Sequence, residues 1–376
     1  MVTKMAPLCK LFFCEASFRS STLSGNHPYE SFNLPILSTF SSRGHPRLSG
    51  AAWVRKLKNM ITKDDILKAH TVISGQLRNT PAQRSVHLEQ LSGSEVFLKL
   101  ENYQVTGSFK VRGGLNKLSC LSPGERERGI IAASSGNHGA ACAFGASHAG
   151  CPVTVCVPTY ASASKVELMK SYGAEVKHHG EDCLETEVYA RSLAQENGLA
   201  YVSPYNDPHI ISGQGTVAVE LLEQATALDA VFISVGGGGL IAGMGTYLKA
   251  VSPGTEIIAC SPAASPAMHA CIEAGEVIEV PCSETLSDAT AGGVEPGSIT
   301  FDICRKVIDR SILVSEDEIS SAMRDFISNH RMLIEGSAGV ALAAFLKTRE
   351  DYSGKRIGIV ICGANISIEK LREILD

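Results

Sequence analysis

From Gly129 onward, short apolar runs alternate with longer stretches whose apolar positions recur at helical spacing. "GIIAAS" precedes a Gly/Ala-rich helical pattern over 138–149, and "PVTVCVP" precedes one around 162–172. "AEVKHH" is followed by a third, around 183–196. Further on, "DAVFISV", "TEIIACS" and "KRIGIVIC" repeat the scheme, each with a helical partner. Upstream, "SEVFLKL" (94–100) reads as a strand, and "TKDDILKAHTVISGQL" as a helix capped by Thr62, with Asp64 and Asp65 in its first turn. Strands that alternate with helices predict an α/β fold with mainly parallel sheets. Such sheets bind ligands at the carboxyl ends of their strands, so the strand-to-helix turns are where chemistry is expected.

Composition narrows the function classes. The 376 residues are 44% apolar with a net charge of −5, ordinary for a globular protein and without the basic footprint of a nucleic-acid binder. No apolar run has the length of a membrane span. Twelve cysteines are scattered without C-x-x-C pairs or metal-ligand spacing, as expected of reduced thiols in an intracellular protein. Residues 1–59 differ from the rest: eight Lys/Arg stand against Glu15 and Glu30, Ser is frequent, and no period persists. That segment reads as a disordered extension or an organelle transit peptide. The expected compartment is the cytoplasm, or the mitochondrion in the transit case.

Four stretches carry candidate chemistry. In "SVGGGGLIAG" (234–243), Gly237, Gly239 and Ala242 satisfy the dinucleotide pattern G-x-G-x-x-[GA] after a strand. The acidic partner of such a site ends the next strand, whereas Glu256 opens it. Four adjacent glycines instead resemble a nest of backbone N–H groups around one phosphate, with a helix starting near Leu240 adding its N-terminal charge. In "TGSFKVRGGLNKL" (106–118), Lys110 stands among small residues beside Phe109, at the start of a helical pattern. Desolvation there lowers a lysine pKa and makes the amine a nucleophile. In "ASSGNHGAACAFGA" (133–146), Ser134 and Ser135 end a strand while Asn137 and His138 open a helix. Hydroxyls, an amide and free helix N–H groups suit a carboxylate, although the same letters also make a plain N-cap turn. In "GIVICGANIS" (358–367), a buried strand delivers Cys362 into a turn.

Taken in this order, with "ISGQGT" (211–216) and "LIEGSAG" (333–339), these motifs resemble the pyridoxal-phosphate enzymes of the tryptophan-synthase-β fold type. Within them the chain is similar to the branch of threonine/serine dehydratases and serine racemases. The resemblance spans roughly residues 62–376. It implies two open, twisted, mainly parallel sheets flanked by helices, with pyridoxal 5′-phosphate in the cleft between a large and a small domain. The large domain would comprise residues 60–122 and 207–376, the small one residues 123–206. It implies that Lys110 bears the cofactor, and that Gly236, Gly237, Gly238, Gly239 and Leu240 hold its phosphate. Asn137 would bond the ring hydroxyl, Phe109 pack beside the ring, Cys362 face the pyridine nitrogen, and Glu335 sit near the ring end. Ser134, Ser135, Gly136, Asn137 and His138 would form the substrate-carboxylate loop.

The implied activity is a lyase that eliminates water from L-threonine or L-serine, giving 2-oxobutanoate or pyruvate and ammonia. Lys110 would move the Cα proton, with Ser135 on the opposite face. That serine position is the acid/base of the racemases, so serine racemase with eliminase side activity is the alternative. The racemase cation site needs acidic residues where this chain has Ser261 and Ala267, so no metal is expected. The turn "GAN" departs from the usual "GGN" at Ala364. The expected partners are an amino-acid substrate and a second copy of the chain as a homodimer, with no nucleic acid and no membrane.

Overall fold

The computed structural model describes residues 61–376. The expectations for residues 1–59 fall outside the described residues. The first helix, α1 (Lys63–Ile73), starts where its sequence signals it: Thr62 Oγ1 accepts from the Asp65 N–H at 3.3 Å, and Asp65 Oδ2 accepts from the Thr62 N–H at 2.9 Å. This reciprocal pair satisfies two N–H groups that the helix itself leaves open.

Among the described residues, ten strands form two sheets. The larger runs in the order β1-β2-β10-β7-β8-β9, built from β1 (Ala82–Arg84), β2 (Glu95–Leu100), β7 (Ala230–Ser234), β8 (Glu256–Pro262), β9 (Arg310–Val314) and β10 (Arg356–Ile361). Every pairing in it is parallel except β1 with β2. The smaller sheet, β5-β4-β3-β6, is wholly parallel, from β3 (Ile130–Ala133), β4 (Val153–Val157), β5 (Glu175–His178) and β6 (Ala200–Tyr201). The architecture is α/β with two mainly parallel sheets flanked by helices, as the alternation predicts. In β7 all five residues are buried, because helices cover both faces of a central parallel strand. Three strands escaped the sequence reading. β1 and β6 are too short to show a period, and β9 is only partly buried, so its apolar run is weak. "GIIAAS" also stops being a strand at Ala133, which leaves Ser134 and Ser135 in the following turn.

The helices that frame the site are α2 (Lys110–Ser119), α3 (Asn137–Ala149), α4 (Ala163–Ser171), α5 (Cys183–Asn197), α6 (Pro208–Gln224), α7 (Gly239–Val251), α8 (Gly336–Thr348) and α9 (Ile368–Leu375). Helix α2 crosses α6 at backbone contact: a Cβ on Gly213 would lie 2.6 Å from the Gly113 Cα. Two glycines at one crossing allow an approach that side chains forbid.

Below that crossing lies a buried ionic cluster. Arg112 donates to Glu101 Oε2 at 2.7 Å and to Glu220 Oε1 at 2.7 Å, and Lys99 donates to Glu220 Oε2 at 2.6 Å. Burial alone would raise the Glu220 pKa, but hydrogen bonds from Arg112 and the charges of Arg112 and Lys99 outweigh it and hold it low. The cluster ties α2, β2 and α6 together two residues from Lys110. Among the described residues, no helix is long and apolar enough to cross a membrane.

Candidate active site

Three chain turns meet at the carboxyl ends of the strands. The first follows β7. Gly238 lies in the left-handed region (φ 87°) and caps α7 without a side chain. The N–H groups of Gly237, Gly238, Gly239 and Leu240 have no acceptor among the described residues. Four converging donors at a helix N-terminus form a site for an anion such as phosphate. Space is the second constraint. A Cβ on Gly237 would lie 2.4 Å from Tyr205 Cδ1, and one on Gly236 would lie 2.8 Å from the Thr290 Cα. Glu256, by contrast, starts β8 at the other edge of the sheet and accepts from the Tyr352 hydroxyl at 3.1 Å. It is out of reach of a ribose at the glycine loop, which removes the dinucleotide reading.

The second turn leads into α2. Lys110 is the first residue of the helix, and its Nζ donates to the Pro204 carbonyl at 2.9 Å and lies 5.5 Å from the Phe109 ring centroid. Burial lowers its pKa to about 8, with weaker opposing pulls from Cys142, Cys362 and Glu335. Among the described residues no carboxylate pairs with this amine, so the neutral, nucleophilic form is within reach near neutral pH.

The third turn follows β10. Phe109 N–H donates to the Cys362 carbonyl at 3.1 Å, and Ala364 N–H to the Gly107 carbonyl at 2.9 Å, so this turn is laced to the lysine loop. Cys362 is buried, and burial is the chief reason its thiol pKa is raised, so the sulfur stays protonated. Its S–H donates to Ser337 Oγ at 3.2 Å, and Ser337 passes the chain to Glu335 Oε1 at 2.5 Å. Glu335 is 2% exposed and also accepts from Asn137 Nδ2 at 2.9 Å and from the Asn365 N–H at 3.1 Å. Burial pushes its pKa up despite these donors.

One cavity is lined by every residue that the sequence singles out for the cofactor: Phe109, Lys110, Asn137, Gly236, Gly237, Gly238, Gly239, Leu240, Glu335 and Cys362. An unpartnered N–H cradle at one end, a neutral-prone amine at its side and a neutral thiol beyond fit pyridoxal phosphate. The expected carboxylate loop divides. Ser135 lines an adjoining cavity that shares Glu335 with the first. The N–H groups of Asn137 and His138 are without acceptors among the described residues, at the start of α3. Ser134 instead holds the turn, its Oγ accepting from the Gly136 N–H at 3.1 Å. The His138 ring points away: Nε2 donates to the Val202 carbonyl at 2.9 Å, and burial lowers its pKa to about 3. It is a neutral, structural ring, and only its backbone faces the loop.

Sequence reasoning missed four neighbours. Tyr205 walls the glycine loop, its hydroxyl accepting from the Glu295 N–H at 3.0 Å. Ser337 relays the thiol to Glu335, and Asn365 Nδ2 donates to Asn137 Oδ1 at 2.6 Å. Lys165 Nζ reaches Asp288 Oδ2 at 3.1 Å beside Ser135. Asn365 and Ser337 lay inside quoted motifs and were readable as polar residues in apolar surroundings. Nothing local marks the other two.

Comparisons with known proteins agree with the geometry. The family described as "Pyridoxal-phosphate dependent enzyme" matches residues 73–363. The chain is similar to L-threonine ammonia-lyase of Thermotoga maritima, 36% identical over 84% of this chain and 79% of that one. It is similar to the catabolic L-threonine dehydratase TdcB of Escherichia coli, 34% identical over 83% of this chain and 95% of that one. The structure of maize serine racemase superposes with a TM-score of 0.79 at 30% identity, covering 84% of this chain and 97% of that one.

Proposed function

The chain belongs to the pyridoxal-phosphate-dependent enzyme family, and from that premise we propose that it is an L-threonine/L-serine ammonia-lyase. Water is eliminated across Cα and Cβ, and the products are 2-oxobutanoate or pyruvate with ammonia. The observation that carries this reading is the cavity itself: Lys110, the tetraglycine turn and the Cys362 thiol line one space.

Pyridoxal phosphate, when bound, supplies an electron sink for the bonds at the substrate Cα. The protein's part follows from its side chains. The Gly236–Gly239 turn and the first N–H groups of α7 hold the phosphate, and Lys110 is the attachment point. The N–H groups at the start of α3, with Ser135, take the substrate carboxylate and fix which Cα bond faces Lys110. Lys110 Nζ, its pKa lowered to about 8, accepts the Cα proton in its neutral form. Cys362 is a neutral thiol, a weaker partner for a ring nitrogen than a carboxylate. With the cofactor bound, such a partner would suit β-elimination better than transamination.

Ser135 supports a second reading as a serine racemase, because its hydroxyl lines a cavity and is without a hydrogen-bond partner among the described residues. One assay separates the two. Holoenzyme is incubated with L-serine and L-threonine while 2-oxo acid and the enantiomers of residual amino acid are measured in parallel. The lyase reading expects 2-oxo acid and no accumulation of D-serine. Steady D-serine formation that Ser135→Ala abolishes would establish the racemase instead. The expected homodimer is tested by sedimentation, which should give twice the chain mass.

A further inference from the structure

The chain crosses from the smaller sheet to α6 through residues 202–207, and this crossing reaches the candidate site twice. The Pro204 carbonyl accepts from Lys110 Nζ at 2.9 Å, and the Tyr205 ring stands against the tetraglycine turn. The crossing is neither helix nor strand, so no ladder of its own fixes it. Its ends are tied: the Val202 N–H donates to the Ile131 carbonyl at 2.9 Å, and Asp207 pairs with Lys117 at 2.6 Å. Between them Pro204 has no N–H to offer, and the Asn206 N–H turns back on the Ser203 hydroxyl at 3.0 Å.

Glu295 holds the middle of the crossing from outside. It lies in the loop before the helix Ile299–Val307. Its N–H donates to the Tyr205 hydroxyl at 3.0 Å, and its Oε1 accepts from Asn206 Nδ2 at 2.6 Å. Its other oxygen, Oε2, accepts from the Arg191 guanidinium at 3.0 Å. Arg191 stands on α5, which packs on β3 and β4 of the smaller sheet. It is braced there by Glu187 at 2.6 Å and by the Tyr201 ring, whose centroid lies 4.3 Å away. The same loop continues to the glycines. The Ile299 N–H donates to Asn206 Oδ1 at 2.9 Å, and Thr300 Oγ1 donates to the Gly237 carbonyl at 2.7 Å. A half-exposed ion pair such as Arg191–Glu295 contributes little by itself. A carboxylate whose two oxygens serve two different elements, however, fixes both at once. An amide, with one oxygen and a donor in place of the other, cannot.

We infer that Glu295 is a positioning residue for Lys110 and the phosphate turn. It holds the crossing at Asn206 and Tyr205, so that Pro204 meets the amine and Tyr205 closes on the glycines, and through Arg191 it ties the crossing to α5. Glu295 is not among the residues that line the cofactor cavity, whereas Pro204 and Tyr205 are, so it acts through them. This rests on the reading of Lys110 and the tetraglycine turn as the pyridoxal-phosphate site, and it holds for a lyase and a racemase alike. Residues 202–207 do not line the cavity at Ser135. The effect therefore falls on the cofactor and on kcat rather than on substrate KM.

The test measures pyridoxal phosphate affinity of the full chain by equilibrium dialysis, the spectrum of bound cofactor, and kcat and KM for the better of L-serine and L-threonine. Asn206→Asp sets a second carboxylate against Glu295. We expect affinity and kcat to fall about tenfold, as for a lost hydrogen bond to a charged group, with KM nearly unchanged and the spectrum shifted. Adding Glu295→Gln to Asn206→Asp reverses donor and acceptor across the same contact, and most of the affinity should return although the Arg191 pair is gone. Glu295→Ala should lose as much as Asn206→Asp, and Arg191→Met should lose less. Circular dichroism and thermal denaturation control for fold. Unchanged affinity in Glu295→Ala, a double variant no better than Asn206→Asp, or a loss that follows thermal stability with an unshifted spectrum would each overturn the positioning role while leaving the cofactor site standing. Wild type that takes up no pyridoxal phosphate would overturn both.

Discussion

Lys110 Nζ donates to the carbonyl oxygen of Pro204 at 2.9 Å, across ninety-four positions of sequence. The acceptor is neutral, so it orients the amine without holding its proton as a carboxylate would. With burial lowering the pKa to about 8, this contact sets the pH behaviour of the site.

Only the unprotonated amine attacks a carbonyl. Below pH 8 the free-base fraction of Lys110 rises about tenfold per unit, and above it the fraction levels off. The rate at which added pyridoxal phosphate becomes covalently attached, followed by absorbance, should trace that curve. Borohydride reduction and peptide mapping should place the label on Lys110. A plateau reached only above pH 10 would show an ordinary, solvated lysine and overturn the assignment.

Gly237→Ala puts a methyl group 2.4 Å from Tyr205 Cδ1. The Tyr205 hydroxyl is itself bonded to the Glu295 N–H, so the ring cannot retreat freely. The phosphate cradle should open and cofactor affinity fall by about tenfold or more, roughly 1.4 kcal/mol for each factor of ten. Equilibrium dialysis against pyridoxal phosphate measures this, with circular dichroism as the control for fold. Unchanged affinity would remove the phosphate role of this turn.

Arg112→Met leaves Glu101 and Glu220 facing Lys99 alone, a net buried negative charge. Removal of one partner from a buried ion cluster costs about 3–5 kcal/mol. Chemical denaturation should show a loss of that size, far more than the fraction of a kcal/mol expected from the exposed pair Lys170–Glu167. A change below about 1 kcal/mol would mean that the cluster is not a structural clamp on α2.

Asn365→Ala removes the donor that fixes Asn137 Oδ1 and another to the Thr106 carbonyl. Asn137 would then be free to rotate its amide. We expect kcat to fall about tenfold, of the order of one lost buried hydrogen bond, with the spectrum of bound cofactor shifted. Loss of activity through thermal stability alone, with an unshifted spectrum, would count against a positioning role.

Much of this was legible in the sequence. The alternation of apolar runs, set by the two-residue and 3.6-residue periods of the backbone, announced the α/β class and the helices near 138–149, 162–172 and 183–196, but not the long helices Pro208–Gln224 and Glu316–His330. The tetraglycine turn and Lys110 stood out because the chemistry proposed for them requires residue types that are otherwise costly: glycines in a row, and a lysine among small residues at a helix start. β1, β6 and β9 were not legible, since short or half-exposed strands carry little periodicity. Their pairing is decided by neighbours distant in sequence.

The sequence by itself determined the fold class through its apolar periods and the cofactor family through its resemblance, and it singled out Lys110 as the expected attachment point. The tertiary structure decided the electrostatics. Only packing buries Lys110 enough to lower its pKa, turns His138 into a neutral core ring, and closes Tyr205 over the glycines. Only packing brings Lys165 and Lys370, some two hundred positions apart, to one cavity beside Ser135. Desolvation and charge proximity depend on distance in space, and local pattern does not encode contacts between residues so far apart along the chain.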